Sequence, residues 1–227
     1  MSDFYTSIDS SSSLGYLFYP RSYHSKIPSG AFDISVPVED KVNLVCRAYS
    51  GKDAAPWILY FHGNGEVVAD YDSIAPMYTE KGFNLLVTDY RGYGASEGRP
   101  TLKNLVEDSK KVFEHVYKSV PGGEKKPDWF VMGRSMGSIA ARVLASSYPE
   151  QLQGMIIESG FISAAALIDH LGLPVPEGLD ILEEEDRRLT GKITLPALII
   201  HGSQDRLVPL EQGQELFEAL GSGQKDL

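Results

Sequence analysis

The stretch "FVMGRSMGSIA", residues 130–140, contains the pattern that decides the fold. An apolar run, Phe130 to Met132, leads into Gly133-Arg134-Ser135-Met136-Gly137, and small residues typical of a helix follow. A serine between two such glycines, after a strand and before a helix, is the pattern of a turn that exposes a nucleophilic hydroxyl. The strained backbone at such a serine leaves no room for side chains two residues away. We therefore interpret Ser135 as a nucleophile.

Strands and helices alternate on both sides of this stretch. Apolar strands are predicted at 57–61, 83–89, 128–133, 154–159 and 197–202, and helices at 66–82, 101–118, 136–149 and 210–220. Residues 31–38 and 41–50 predict an antiparallel hairpin ahead of them. Apolar strands that alternate with helices indicate a mostly parallel sheet with helices on both faces. The sequence thus predicts an irregular segment, 1–30, followed by one α/β domain, 31–227, with a short cap at about 160–192.

The charge and composition argue against several function classes. The chain has 227 residues and a formal net charge of −10 at pH 7, and no basic patch stands out. Nucleic acid and anionic membrane surfaces are therefore not expected partners. No apolar stretch approaches the roughly 20 residues of a membrane span, and no signal-peptide pattern is present at the N-terminus. We expect a cytoplasmic protein.

Cysteine and histidine usage gives no sign of a disulfide or a metal site. Cys46 is the only cysteine and lies in an apolar run, which favours a buried, inert thiol. The five histidines lack the spacing of metal ligands. We expect neither a metal nor an organic cofactor.

A glycine-rich stretch, His62-Gly63-Asn64-Gly65, follows the predicted strand 57–61. In an open parallel sheet, ligands bind beyond the carboxyl ends of the strands. Glycines there let backbone amides approach a ligand closely, so we interpret the amides of Asn64 and Met136 as an oxyanion hole. The alternative is a glycine-rich turn that begins a helix. His62 is expected to hold this loop rather than to carry a proton.

Charged residues follow three further predicted strands. In "TDYRGYGASEG", Asp89 and Arg91 are expected to brace a tight loop, although Arg91 and Tyr93 are also candidates for substrate contact. In "HGSQDRLVP", Asp205 comes after Ser135, which is the Ser…Asp order of the hydrolases, and we interpret it as the catalytic acid. Glu158, at the end of "GMIIES", is the alternative acid.

Four of these stretches together resemble the α/β-hydrolase family: "YFHGNGEVV", "TDYRGYGASEGRPT", "GRSMGS" and "HGSQDRLVP". The resemblance covers about residue 40 to the end, and it is nearest to small bacterial relatives of the α/β-hydrolase-domain proteins that remove acyl groups. It implies Ser135 as nucleophile, Asp205 as acid, and the amides of Asn64 and Met136 as oxyanion hole. It also implies a final strand followed by a catalytic histidine.

The residues after the last predicted helix do not contain that histidine. Seven residues, 221–227, follow the helix 210–220, and we expect these to be too few for a strand and its loop. The sequence thus predicts a chain that is incomplete at its C-terminal end, lacks the last strand and has little activity by itself. The strand 197–202 would then form a sheet edge that favours pairing with another chain, and the oligomeric state stays open.

Each of the five histidines is a possible substitute for the missing base. His62 and His201 adjoin glycine turns and are expected to be packed. His115 lies within a predicted helix, and His24 lies in the irregular segment. His170 is the alternative base, because the cap helix that carries it is expected to lie above the site.

These features favour a serine hydrolase that cleaves an ester, thioester or amide bond through an acyl-enzyme on Ser135. One alternative is a serine peptidase, which uses the same chemistry on another leaving group. The other is a non-catalytic binding protein that keeps the pocket without the base. Because a fold does not fix a substrate, the expected partner is a small molecule or an acyl compound of unspecified identity.

Overall fold

A computed structural model describes residue 9 and residues 18–51, 55–120 and 126–227. Its centre is an eight-stranded sheet with the order β1-β2-β4-β3-β5-β6-β7-β8. The strands are β1 Ala31–Glu39, β2 Val42–Tyr49, β3 Trp57–Phe61, β4 Asn84–Thr88, β5 Trp129–Arg134, β6 Leu152–Glu158, β7 Ala197–Ile200 and β8 Lys225–Asp226. In the described residues the helices are α1 Ala75–Thr79, α2 Leu102–Ser119, α3 Gly137–Ser147, α4 Ala164–His170, α5 Leu179–Thr190 and α6 Leu210–Ala219.

The sheet begins with the predicted antiparallel hairpin and continues as a parallel sheet. β1 pairs antiparallel with β2, and β2 pairs antiparallel with β4. The ladders from β4 through β3, β5, β6 and β7 to β8 are all parallel. The carboxyl ends of six strands therefore meet at one edge, where the sequence places its candidate site residues.

Apolar side chains cover both faces of the sheet, as predicted. Along β3, Trp57, Leu59 and Phe61 belong to one core cluster, which also contains buried residues of α2, α3 and α6. Ile58 and Tyr60 alternate with them and join a second cluster, formed with α1 and a 3-10 turn at Val68–Tyr71. This alternation is the period of a strand that is buried on both sides.

The helix predicted at 66–82 is replaced by two shorter elements. Residues Val68–Tyr71 form the 3-10 turn, and Ala75–Thr79 form α1. Pro76 lies in the first turn of α1, because a proline has no amide to donate and is tolerated only at a helix start. The proline near the middle of the predicted helix thus marks the start of a new helix.

The acidic run at 183–186 lies within α5, in the segment predicted to form a short cap. Its side chains have specific partners. Asp186 pairs with Arg142 of α3, which is 2% exposed. Glu183 accepts hydrogen bonds from the Ser163 hydroxyl at 3.0 Å and from the Ala165 amide at 2.5 Å, at the start of α4. These tertiary contacts stabilise a helix that local sequence did not indicate.

The last strand, predicted to be missing, is present as a short strand beside β7. Ala197 pairs with Lys225, and Leu198 pairs with Asp226. Seven residues suffice because Ser222 closes a tight turn onto Gln224, and Lys225 Nζ binds the Phe217 and Leu220 carbonyls at the end of α6. The expectation that β7 forms the sheet edge was therefore wrong, and β8 occupies that edge.

Two further predictions concern burial and the N-terminal segment. Cys46 is fully buried, and burial raises the pKa of its thiol to about 12, which agrees with an inert side chain. Of the segment predicted to be irregular, residues 1–8 and 10–17 lie outside the described residues. Within the described ranges, no helix is long and apolar enough to cross a membrane.

Candidate active site

Ser135 lies on a sharp turn between β5 and α3, as its sequence predicts. Its φ of +50° is in the left-handed region that non-glycine residues rarely adopt. The Ser135 amide donates to the Glu158 carbonyl at 2.9 Å, and the Ser138 amide donates to the Ser135 carbonyl at 3.0 Å. These bonds fix the turn at both ends, so the side chain of Ser135 is held, half-buried, at the carboxyl edge of the sheet.

The two glycines that flank Ser135 are required by close backbone contacts. A Cβ at Gly133 would lie 2.3 Å from the Gly137 carbonyl oxygen. A Cβ at Gly137 would lie 2.0 Å from the Phe61 carbonyl oxygen and 2.9 Å from that of His62. A side chain at Gly133 would therefore clash within the turn itself, and one at Gly137 would separate the turn from the chain that leaves β3.

Met136 and Asn64, the predicted donors of the oxyanion hole, lie on these two adjoining segments. Met136 precedes the first residue of α3, so its amide is one of those with no partner inside the helix. The partial positive charge of the helix N-terminus favours a negative oxygen at this place. The alternative interpretation, a glycine-rich turn that begins a helix, stays open, because a 3-10 turn starts at Val68, shortly after the glycines.

Backbone and side-chain hydrogen bonds hold the loop that carries Asn64. The Glu66 amide donates to the Gly63 carbonyl at 3.2 Å, and Gly65 has a φ of +79°, as the third position of a type II turn requires. The Asn64 side-chain oxygen accepts from the Tyr93 hydroxyl at 2.6 Å and from the Tyr19 amide at 2.8 Å. Tyr93 is thus a support for this loop, and its predicted contact with substrate stays untested.

Asp205 lies in the loop between β7 and α6. Its Oδ1 atom accepts from the amides of Leu207 and Val208, both at 2.9 Å. Partial burial raises the pKa of this carboxyl, but the two amides and the Ser159 hydroxyl outweigh that effect, so that the pKa is lowered. The carboxylate is therefore ionised at neutral pH, as an orienting acid must be.

Ser135 and Asp205 follow strands that are two positions apart in the sheet. β6 lies between β5 and β7, and neighbouring strands are about 4.8 Å apart. Ser159, with a φ of +46°, follows β6 and contacts Asp205. Ser135 and Asp205, the predicted nucleophile and acid, therefore lie at the same edge of the sheet, on either side of the β6 terminus.

Glu158, the alternative acid, is engaged in a different cluster. Its carboxylate accepts from Arg134 Nε at 3.3 Å and from the Tyr60 hydroxyl at 3.2 Å. Arg134 also pairs with Glu66. These partners give Glu158 a role in holding the residue that precedes Ser135.

The histidines next to glycine turns are packed, as expected. His62 is fully buried, with Nε2 3.2 Å from Asp89 Oδ1 and Nδ1 2.8 Å from the Gly63 carbonyl oxygen. His201 places Nε2 2.8 Å from the Val208 carbonyl oxygen and packs against Gly213. Both side chains hold the loops that follow their strands.

His170, the alternative base, contacts the acid loop but not the acid. Its Nε2 lies 3.0 Å from the Arg206 carbonyl oxygen, and the side chain is exposed at the end of α4. His24 is exposed in the N-terminal segment, and His115 is half-buried on α2. All five histidines fall in the described ranges, and none of them forms a hydrogen bond with Ser135 or Asp205.

The loop after β4 is braced by Asp89 and Arg91, as expected. Arg91 forms a bidentate pair with Asp108 at 2.7 and 3.0 Å and a further bond to Glu39 at 2.6 Å. Asp89 accepts the Val68 amide at 2.9 Å. Because the Arg91 guanidinium is committed to two carboxylates, its interpretation as a bracing residue fits the geometry better than substrate contact.

Sequence reasoning missed the cluster of Glu66 and Arg134. Glu66 follows Gly63 by three residues, which is the spacing by which a carboxylate reaches back to a backbone amide in a capping box. That spacing was the available signal. The N-terminal segment was also missed: Tyr19 packs over Gly65, and the Tyr23 amide donates to the Gly94 carbonyl at 3.1 Å.

The chain is similar in sequence to a known family and to several known proteins. The sequence profile of the family described as "Serine aminopeptidase, S33" matches residues 52–182, which is more than half of the chain. The chain is 24% identical to the protein YfhR of Salmonella typhimurium, over 88% of this chain and 73% of that protein. It is 30% identical to the membrane protein YNL320W of Saccharomyces cerevisiae, over 66% of this chain and 54% of that protein.

A solved structure gives the same architecture. The esterase Pf2001 of Pyrococcus furiosus superposes with a TM-score of 0.70 at 21% identity, covering 92% of this chain and 85% of that one. At this identity the likeness shows the fold alone. The predicted α/β-hydrolase fold is confirmed.

Proposed function

Because the chain belongs to the serine aminopeptidase S33 family of α/β-hydrolases, we propose that it is a serine hydrolase of the esterase type that acts through an acyl-enzyme on Ser135. That it is related to hydrolytic enzymes follows from the family, and the Pyrococcus esterase shares its fold. The nucleophile, the bond that is cleaved and the substrate are parts of the proposal.

The turn at Ser135 is the observation that carries the proposal. Its φ of +50° and the two glycines without room for a Cβ are features of a nucleophile elbow. A strained backbone of this kind costs of order 1–3 kcal/mol and persists where the surrounding structure enforces it. Here the close packing of Gly137 on the chain after β3 enforces it.

In the proposed reaction, Ser135 Oγ attacks the acyl carbon while a histidine accepts the hydroxyl proton. The electron pair of the carbonyl moves to the oxygen, where the amides of Met136 and Asn64 stabilise the negative charge. The bond to the leaving group then breaks, and the leaving group takes the proton from the histidine. Water, activated in the same way, releases the acid. Asp205 orients the histidine throughout.

The identity of the histidine is the open part of this mechanism. His62 and His201 have ring nitrogens bound to backbone carbonyls of their own loops, and His62 also binds the Asp89 carboxylate after β4. We propose that the base lies in the chain after β8, the strand next to β7, which precedes Asp205. The sequence of the whole gene tests this proposal. His170 is the alternative within the chain.

A peptidase is the second candidate, and the description of the matched family favours it. Amide and ester hydrolysis share the acyl-enzyme, so they differ here only in the leaving group. Three statements remain predictions: an acyl or other small-molecule substrate, no nucleic-acid partner, and a cytoplasmic location. The yeast relative is named a membrane protein, which bears on the location.

The test is a substrate series given to the full-length protein. We expect hydrolysis of p-nitrophenyl esters of graded chain length, with an aminoacyl p-nitroanilide cleaved more slowly. Faster cleavage of the anilide would replace the esterase by the peptidase. Turnover of neither substrate, with an unreactive Ser135, would favour a non-catalytic binding protein and refute the proposal.

A further inference from the structure

The oxyanion loop and the nucleophile turn are joined by a cluster of side chains that neither motif contains. Arg134, the residue before Ser135, pairs with Glu66 of the loop and lies 3.3 Å from Glu158 Oε1. Glu66 in turn accepts the Gly63 amide at 2.7 Å and the Tyr71 hydroxyl at 2.8 Å. A continuous chain of polar contacts therefore runs from the Gly63 amide to the residue before Ser135.

Glu66 closes the loop twice. Its backbone amide donates to the Gly63 carbonyl, while its side chain accepts the Gly63 amide. Both polar groups of Gly63 are thus committed: its amide fixes the peptide between His62 and Gly63, and its carbonyl fixes the peptide that leads into Asn64. Rotation of the peptide that leads into Asn64 would break the bond from the Glu66 amide, and rotation of the preceding peptide would break the bond to the Glu66 carboxylate. Hydrogen bonds to a charged acceptor are about twice as strong as neutral ones.

Arg134 lies tightly against the same glycine. A Cβ at Gly63 would lie 3.0 Å from Arg134 Nη1 and 3.2 Å from Glu66 Oε2. Burial lowers the pKa of Arg134, but the carboxylates of Glu66 and Glu158 outweigh it and raise the pKa. The guanidinium stays charged, so that one cation holds two carboxylates at the edge of the site.

We propose that Glu66 and Arg134 are positioning residues that hold the Gly63–Asn64 peptide in register with Ser135, so that the Asn64 amide faces the developing oxyanion. This proposal rests on the proposed function. Donors of an oxyanion hole act only when they are fixed in place before the reaction. The bridge supplies that fixation between two segments that are 68 residues apart in the chain.

Glu66→Ala tests the bridge, with Glu97→Ala as the matched control. Glu97 also accepts a backbone amide, that of Asn43 at 2.8 Å, but it lies in the loop after β4 and binds β2 instead of the Gly63 loop. Removing one oxyanion-hole donor costs about 10²–10³-fold in kcat. We expect Glu66→Ala to lower kcat by about 10–10²-fold with KM within about threefold, while Glu97→Ala stays within about twofold.

Two further variants separate positioning from folding. Glu66→Gln keeps an oxygen that can accept the Gly63 amide, so it should recover part of the lost kcat. The double variant with both Arg134→Ala and Glu66→Ala should lose little more kcat than the more damaging single variant. The effects of substitutions at contacting residues of one network are not additive. If Glu66→Ala does not fold, Glu66→Gln carries the same comparison.

Hydrogen exchange of the Gly63 amide gives a readout that needs no turnover. We expect this amide to exchange at least about tenfold faster in Glu66→Ala than in the wild type, with no change in Glu97→Ala. Unchanged exchange overturns the proposal, and so does faster exchange with unchanged kcat. If the wild-type protein hydrolyses nothing, the proposed function fails, and the exchange rate alone then decides whether Glu66 holds this peptide.

Discussion

A methyl group on Gly137 would lie 2.0 Å from the Phe61 carbonyl oxygen, whereas one on Gly202, in the acid loop, would meet nothing nearer than Asp205 Cβ at 3.7 Å. The two halves of the proposed site are thus built differently. Around Ser135 the backbone itself is packed, and only one arrangement fits. Around Asp205 the loop is partly exposed and held by hydrogen bonds to two amides. Substitutions that add atoms around Ser135 should therefore cause a large loss of stability, whereas those around Asp205 should cause a small one.

The largest expected effect is that of Gly137→Ala. The added Cβ must separate the elbow from the chain after β3, since the contact is to backbone atoms that cannot rotate away. We expect the free energy of unfolding to fall by more than about 4 kcal/mol, as for severe overpacking of a core. Urea denaturation followed by circular dichroism measures this.

The matched control for that prediction is Gly202→Ala. It should change the free energy of unfolding by less than about 1 kcal/mol, because its new methyl group makes ordinary van der Waals contact. Equal effects of the two substitutions would remove the distinction between the two halves.

Asp205→Asn is expected to have the next largest effect, on rate rather than on folding. Asparagine can still accept the amides of Leu207 and Val208 but cannot stabilise an imidazolium, so kcat should fall by about 10²–10⁴-fold. Glu158→Gln should cost less than tenfold, since Glu158 contacts Arg134 and Tyr60 instead. Steady-state kinetics on one ester decides between them, and a larger loss for Glu158→Gln would transfer the role of acid to Glu158.

The lowered pKa of Asp205 predicts a pH dependence of stability. The folded pKa lies below the unfolded value of about 3.9, so the carboxylate stabilises the native state above that pH, and this contribution is lost as the pH falls through the folded pKa. The difference in unfolding free energy between wild type and Asp205→Asn should be constant from about pH 5 to 7 and shrink below about pH 4. A difference that grows on acidification would contradict the assignment.

His170→Gln should have the smallest effect. The His170 Nε2 contact to the Arg206 carbonyl can be replaced by the glutamine amide, so we expect kcat within about threefold of the wild type. The pH–rate profile is the sharper readout. A loss of kcat of more than 100-fold, together with the disappearance of one ionisation from the profile, would identify His170 as the base.

Much of this architecture could be predicted because it follows from local pattern. The apolar run at Trp57–Phe61 and the glycines around Ser135 each have one structural explanation. The helix predicted at 101–118 begins where Thr101 accepts the Asn104 amide at 3.0 Å as its cap. These features depend on strand periodicity, glycine geometry and capping, all of which are visible within a few residues.

What could not be predicted depends on contacts between distant segments. The helix α5 is stabilised by Arg142, which lies 44 residues before Asp186, and Glu66 reaches Arg134 across 68 residues. β8 was not predicted for another reason. A parallel strand of two residues is too short to show a periodicity in "GSGQKDL", and it forms because it pairs with the free edge of β7.

The measurement that most directly tests the central claim, that Ser135 is the nucleophile, is labelling of the full-length protein with a fluorophosphonate, followed by tandem mass spectrometry. Cleavage after Arg134 and Arg142 leaves Ser135 and Ser138 in one peptide, which provides an internal control because Ser138 is fully buried. The account predicts that the adduct lies on Ser135, disappears in Ser135→Ala and persists in Ser138→Ala. An adduct on another serine, or ester hydrolysis by Ser135→Ala within about tenfold of the wild type, would contradict it.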